Sequence, residues 1–188
     1  LGAGLVGAVQ ARGVDHDFVG LVGPQLRTLG VEELGSLDEL NVMGVVEVLG
    51  ALPRISKVLR RLERALDGVD LLVAVDSPDF NLRLAKRARK RGVPVILLGS
   101  PQVWAWRSGR AKWIAENIRE VLCLFPFEPE YYTQHEGRAL CLGHPTASQL
   151  SVLPVADNPG LALVPGSRVQ EVSRLLPVMV QVAAAWRA

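Results

Sequence analysis

The sequence is poor in several kinds of residue that would point to a specialised class. Only two of its 188 residues are cysteine, Cys123 and Cys141. Both lie in apolar runs, which excludes a disulfide-stapled scaffold and predicts reduced core thiols. The three histidines, His16, His135 and His144, make no metal-ligand spacing with one another or with a cysteine or carboxylate cluster, and no metal is predicted. Neither sign of charge prevails: 21 Lys and Arg against 19 Asp and Glu leave +2, too little to argue for nucleic acid. No apolar run approaches the ~20 residues of a membrane span, and the opening residues do not read as a signal peptide. Internal repeats and low-complexity tracts are missing as well. What is left, at 49% hydrophobic and 21% charged, is a globular composition.

The run Leu71-Leu72-Val73-Ala74-Val75 has no polar break, which suits a strand buried on both faces of a parallel sheet. It stops at Asp76, Pro78 ends the pairing pattern, and a helical stretch follows from Phe80 to Arg91. The pattern therefore places a carboxylate at the carboxyl end of a central strand, where open α/β sheets bind ligands.

The rest of the chain alternates in the same way. Residues 1–10 read as a helix closed by Gly13, Phe18–Val22 as a strand, and Gly23-Pro24 as the turn into a short helix ending near Gly30. Residues 38–49 are apolar but interrupted by Gly44. From Leu52 to Leu66 the period is helical, with Ile55, Val58, Leu59, Leu62 and Leu66 on one face and Arg54, Lys57, Arg60, Arg61 and Arg64 on the other. Val93–Leu98, Val121–Phe125 and Ala139–Leu142 read as strands; Ser108–Asn117 and Glu128–Gln134 read as helices. Residues 148–160 read as a linker, and a new unit opens with a strand over Leu161–Val164, the turn Pro165-Gly166-Ser167-Arg168 and a helix. The fold class predicted is α/β, a Rossmann-like parallel sheet with helices on both faces. Three segments are expected: a domain over 1–147, the linker, and the start of a second domain over 161–188. A chain that begins and ends on helices, with no start methionine, reads as truncated at both ends.

Several stretches suit chemistry, and each has a plainer reading. A partly desolvated Asp76 could take a proton from a hydroxyl, or serve the turn; Asp79, at the helix start, suits capping better. Trp104 and Trp106, in the loop Ser100–Arg107, offer flat apolar walls for a sugar ring or acyl chain, or plug the sheet edge. Gly166, Ser167 and Arg168 join strand to helix, where backbone amides and a guanidinium suit phosphate; a capped turn is the alternative. It is not a Walker loop, since the lysine and outer glycine are missing. His144, in Gly143-His144-Pro145, could meet a ligand or cap its turn. The apolar stretch 41–49 beside a cationic helix face fits contact with a membrane surface, or a helix covering the sheet.

Together these stretches resemble one family, lipid-A-disaccharide synthase of glycosyltransferase family 19. The resemblance rests on residues 1–5, Val42–Leu49, Asp76-Ser77-Pro78-Asp79-Phe80-Asn81, Ser100–Arg107, Phe125-Pro126-Phe127-Glu128, Gly143-His144-Pro145, and Pro165–Arg168 with Glu171. They occur in the family's order over nearly the whole chain. The resemblance implies a GT-B architecture, of which this would be the N-terminal half and the start of the second. It implies inverting transfer of 2,3-diacylglucosamine from its UDP derivative to 2,3-diacylglucosamine 1-phosphate, giving a β-1,6 disaccharide 1-phosphate and UDP, with no cofactor. Asp76 matches the family's proposed general base, and Arg168, with Ser167 and Gly166, the donor-diphosphate site. Val42, Met43, Val45, Val46 and Glu47, with Trp104 and Trp106, fall where the family meets acyl chains and membrane. Asn81, Ser100, Arg107 and His144 are further site candidates. The implied location is the cytoplasm, peripheral on the cytoplasmic face of the inner membrane, with no nucleic-acid partner.

The family's amino-terminal strand and its Gly-Glu-x-Ser-Gly-Asp loop lie outside the sequence. Ser77 stands where alanine is common, Gly99 where valine is common, and Val169 where glycine is frequent. The alternatives are another GT-B UDP-sugar transferase or epimerase, or an inactive piece of the synthase that only binds acyl sugar or membrane.

Overall fold

The computed structural model describes residues 1–14, 16–40, 45–105, 108–147, 160–167 and 169–186, with the backbone alone over 45–49. The chain divides into two units, Leu1–Leu150 and Ser151–Ala188.

The first unit holds six α-helices and six strands among its described residues. In chain order they are α1 (Gly2–Gln10), β1 (Val19–Val22), α2 (Pro24–Thr28), β2 (Glu32–Ser36), α3 (Val45–Ala65), β3 (Leu72–Val75), α4 (Pro78–Lys90), β4 (Val95–Leu98), α5 (Gly109–Asn117), β5 (Glu120–Cys123), α6 (Glu130–Thr133) and β6 (Ala139–Cys141). β3, β4, β5 and β6 form one parallel sheet in that order, while β1 and β2 form a separate parallel pair. Each successive strand of the larger sheet is reached through a helix, as parallel pairing requires.

The helical period of α3 does what its sequence implies. Val58, Leu59, Leu62 and Leu66 are buried in the core with Leu84, Ala85 and Ala88 of α4 and with Leu97, Val121 and Ile114 from β4, β5 and α5. Arg54, Lys57, Arg60 and Arg64 are exposed. Arg61 departs from that solvated face: it is half-buried and donates to the Glu39 carboxylate at 2.7 Å. A second ionic seam joins α3 to α4, with Glu63 bound by Arg87 and Arg91, and Asp67 by Arg91 at 2.9 Å.

Gly137 sits where the chain turns from α6 toward β6. A Cβ there would lie 2.6 Å from the Ala115 Cβ and 2.7 Å from its Cα, so α5 packs directly on this backbone. Gly137→Ala is expected to cost about 1–3 kcal/mol through overpacking. The measurement is a lower urea midpoint at unchanged slope; an unaltered midpoint would refute the close approach.

Four expectations need correction. β3 lies at the edge of its four-stranded sheet and not at its centre: only Ala74 is fully buried and Leu71 is 42% exposed. β2 was not foreseen, because its sequence Glu-Glu-Leu-Gly-Ser carries neither an apolar run nor alternation. Backbone pairing with β1 creates it, and its glutamates face water as on many edge strands. α3 begins at Val45, seven residues before the expected start. Pro53 therefore lies inside the helix, whose backbone ladder tolerates the loss of one donor.

The fourth concerns the second unit, which contains α7 (Val169–Trp186). Leu161–Val164, expected as a strand, makes no ladder pairing among the described residues. A strand exists only through its partner, and among the described residues none pairs with this one. The expected linker falls almost wholly on residues 148–159, outside the described residues.

Candidate functional site

The turn after β3 holds the only consecutive non-glycine residues with positive φ among the described residues. They are Asp76 and Ser77, in the left-handed region with φ of +50° and +41°. Each such residue costs on the order of 1–2 kcal/mol and persists only where its surroundings hold it. Here several bonds do so. The Asp76 amide still donates to Leu98 O at 3.0 Å, continuing the ladder to β4. The Ser77 carbonyl accepts from the Phe80 and Asn81 amides and so opens α4. Asn81, only 9% exposed, donates from Nδ2 to Val75 O at 2.9 Å and to Asp76 O at 2.7 Å.

The result is a carboxylate thrown clear of the sheet edge. The Asp76 side chain is exposed, not partly desolvated as expected, because the turn that carries it leaves an edge strand. Asp79, in the first turn of α4, receives Arg110 at 2.5 Å and ties α4 to α5.

The next three strand exits lie along the same edge. Gly99 leaves β4 with φ +89°, and a Cβ on it would sit 3.9 Å from the Asp76 amide. Ser100 then bonds the fully buried Tyr132 hydroxyl at 2.7 Å, so its role is to fasten this loop to α6. Trp104 is 42% exposed, with its ring edge-on to Phe127 at 5.4 Å. After β5, Phe125 and Phe127 are stacked at 5.8 Å with 14° between their planes. After β6, His144 lies 6.0 Å from Phe125, and its Nδ1 accepts from the Thr146 amide at 3.3 Å, as the capped-turn reading requires. Trp106 and Arg107 lie outside the described residues.

Beneath this edge, Glu128 is 3% exposed, and its Oε2 accepts from the Leu124 and Phe125 amides, both at 3.0 Å. In the sequence Glu128 stands out only as the last residue of Phe125-Pro126-Phe127-Glu128. The signal available was a lone carboxylate three residues past the end of an apolar strand.

Cys123, also in this layer, faces Cys141 across the β5–β6 pairing, and both are free thiols. Burial pushes the Cys123 thiol up to about 12 from 9.0, reinforced by the Glu128 carboxylate and opposed by Ser100. It is an inert core group. The stability it provides is complete below about pH 9, where the unfolded thiol begins to ionise, and is lost as pH rises towards 12. Burial raises the Tyr132 phenol in the same direction. Stability is expected to fall across this window by about 1.4 kcal/mol per pH unit for the thiol, with the phenol steepening the fall only above about pH 10. Cys123→Val should flatten the fall in urea melts; an identical pH slope in the variant would count against the thiol.

A cavity of about 730 Å³ lies beside Asp76, lined by Leu1, Val19, Leu21, Leu72 and Val75 among others. Its walls are the edges of β1 and β3, which among the described residues pair only with β2 and β4. Such a gap offers unpaired backbone and apolar side chains more than the convergent polar groups of a ligand pocket. A second cavity of about 420 Å³, near Pro94 and Arg119, is at the amino ends of β4 and β5, opposite the end where such sheets bind ligands.

In the second unit, Gly166 has φ +100°, and a Cβ on it would collide with the Glu171 side chain at 2.6 Å. That carboxylate accepts from the Ser167 amide at 3.3 Å, so the turn leading to α7 carries its own anion. Arg168, Val42 and Met43 lie outside the described residues. Val45, Val46 and Glu47 form the first turn of α3. The structure thus gathers Asp76, Asn81, Ser100, Trp104 and His144 on one sheet edge. No helix among the described residues is long and apolar enough to cross a membrane, and no group of His, Cys, Asp and Glu among them could hold a metal ion.

A parallel α/β sheet with its carboxylate on a strained turn at the strand ends defines a Rossmann-like unit, the class whose chemistry sits at that edge. Comparison narrows the class. The family model described as lipid-A-disaccharide synthetase matches residues 1–187. A lipid-A-disaccharide synthase of Myxococcus xanthus is 42% identical over 96% of this chain and 51% of its own length. Those of Idiomarina loihiensis and Acinetobacter baylyi are 37% and 40% identical over 97% and 95% of the chain, and over 52% and 49% of their own lengths. The chain belongs to the lipid-A-disaccharide synthetase family, and it spans about half the length of the curated relatives it matches.

Proposed function

We propose that this chain supplies the acceptor side of an inverting GT-B glycosyltransferase of lipid A biosynthesis. The enzyme transfers 2,3-diacylglucosamine from UDP-2,3-diacylglucosamine to 2,3-diacylglucosamine 1-phosphate. The observation that carries the reading is Asp76, an exposed carboxylate on a turn whose strain is held by Asn81, in a chain matched by the synthetase family along its length. Strain kept at a strand end is the pattern of a site, since a purely structural turn would relax it with glycine.

In this mechanism Asp76 accepts the proton of the acceptor's 6-hydroxyl as that oxygen attacks the anomeric carbon. The bond from that carbon to the UDP oxygen breaks, with inversion, and UDP leaves. Arg168 offsets the charge growing on the departing diphosphate, with Ser167 and Gly166 beside it. The exposed basic residues of α3 (Arg54, Lys57, Arg60 and Arg64) and the apolar segment before it rest on an anionic membrane surface, which keeps the enzyme peripheral.

The test is conversion of the two diacylglucosamine substrates to disaccharide by the intact protein. Absence of disaccharide with UDP binding retained would overturn the reading. Isothermal titration of the 188-residue chain with UDP should show weak binding or none, because donor burial in a GT-B cleft takes both halves.

A further inference from the structure

We propose that Phe125 and Phe127, with Trp104 beside them, form a seat for an acyl chain of the lipid substrate; the inference rests on the glycolipid reading above. Three large aromatics stand 44%, 44% and 42% exposed on neighbouring strand exits, in ring contact with one another. Burying them would be favourable, so their joint exposure marks an interaction surface.

The exposure is built. The buried Glu128 carboxylate holds the Leu124 and Phe125 amides, and so fixes the turn that presents both phenylalanines outward. Desolvating a carboxylate is costly unless its bonds are met, and here the bonds that meet it shape this loop. The core of the unit is already filled by Tyr132, Cys123 and Val103, all 2% exposed or less.

The position fits one part of the substrate. β5 lies two strands from β3, so the phenylalanines stand about 10 Å along the edge from Asp76. A group there is remote from the reacting hydroxyl. An acyl chain suits the seat better than a sugar ring, because sugar recognition needs polar groups aimed at hydroxyls. Two polar groups near the seat are engaged already: Ser100 with Tyr132, and His144 Nδ1 with the Thr146 amide.

Bromine on an acyl chain quenches an indole that it touches. Diacylglucosamine 1-phosphate with brominated chains, titrated into the 188-residue chain, is expected to quench tryptophan fluorescence, and Trp104→Phe should remove a clear share of that quench, the rest belonging to the other three tryptophans. Phe125→Ser/Phe127→Ser should raise the apparent dissociation constant about tenfold with the thermal midpoint little changed. Phe127→Ala alone carries the comparison if the double variant does not fold. Glucosamine 1-phosphate without acyl chains should not compete. A quench undiminished by Trp104→Phe, affinity unmoved by the phenylalanine changes, or competition by the bare sugar phosphate would each overturn the seat. Loss of disaccharide synthesis with quenching intact would instead count against the catalytic reading.

Discussion

Asp76→Asn in the intact protein is expected to lower turnover by about 10² to 10⁴ while acceptor affinity changes no more than a few-fold. The choice of asparagine matters. Asp76 has φ +50°, a region that asparagine and aspartate visit more readily than other side chains. Asparagine therefore keeps the turn, its volume and its backbone bond to Asn81, and removes only the ability to take a proton. Alanine would confound the two effects by destabilising the turn. Initial rates at saturating donor, with acceptor affinity measured separately, divide the loss between chemistry and binding. Turnover within a few-fold of the unaltered enzyme would show that Asp76 is not the base.

Asn81→Leu is expected to cost about 1–3 kcal/mol of stability and to depress turnover, although Asn81 touches no reacting atom in the proposed mechanism. Its Nδ2 is the donor that satisfies both Val75 O and Asp76 O; a leucine of similar size leaves both carbonyls unmet. The left-handed pair then loses a principal restraint. Asn81→Asp should behave like the leucine variant, since an ionised carboxylate cannot donate. Adding Ser77→Gly should recover about 1 kcal/mol, because Ser77, at φ +41° and ψ +59°, adopts a conformation that glycine takes without penalty. Urea midpoints and turnover for the three variants test this. Recovery of neither quantity would mean that Asn81 supports the core and not the turn.

Much of this was legible beforehand for identifiable reasons. The strands β4, β5 and β6 and the helices α4 and α5 were placed by short apolar runs alternating with helical periods. Strongly periodic or continuous apolar patterns leave few alternatives. β2 was illegible because its stability comes from pairing with β1, which leaves little trace in its own composition. The Leu161–Val164 expectation failed on the same physics in reverse: the composition of a strand without a ladder beside it.

The site divides similarly. The sequence by itself determined that Asp76 ends a strand, that Asn81 follows five residues later on a helix, and that tryptophan and phenylalanine crowd two other strand exits. Local covalent spacing and periodicity are enough for that. Only the tertiary structure decided that Asp76 and Ser77 are left-handed, that Asn81 holds them, and that β3 is an edge strand exposing its carboxylate. It alone set Glu128 beneath Phe125 and put Phe127 against Trp104. These are contacts between strand exits brought together by sheet order, which no local pattern encodes.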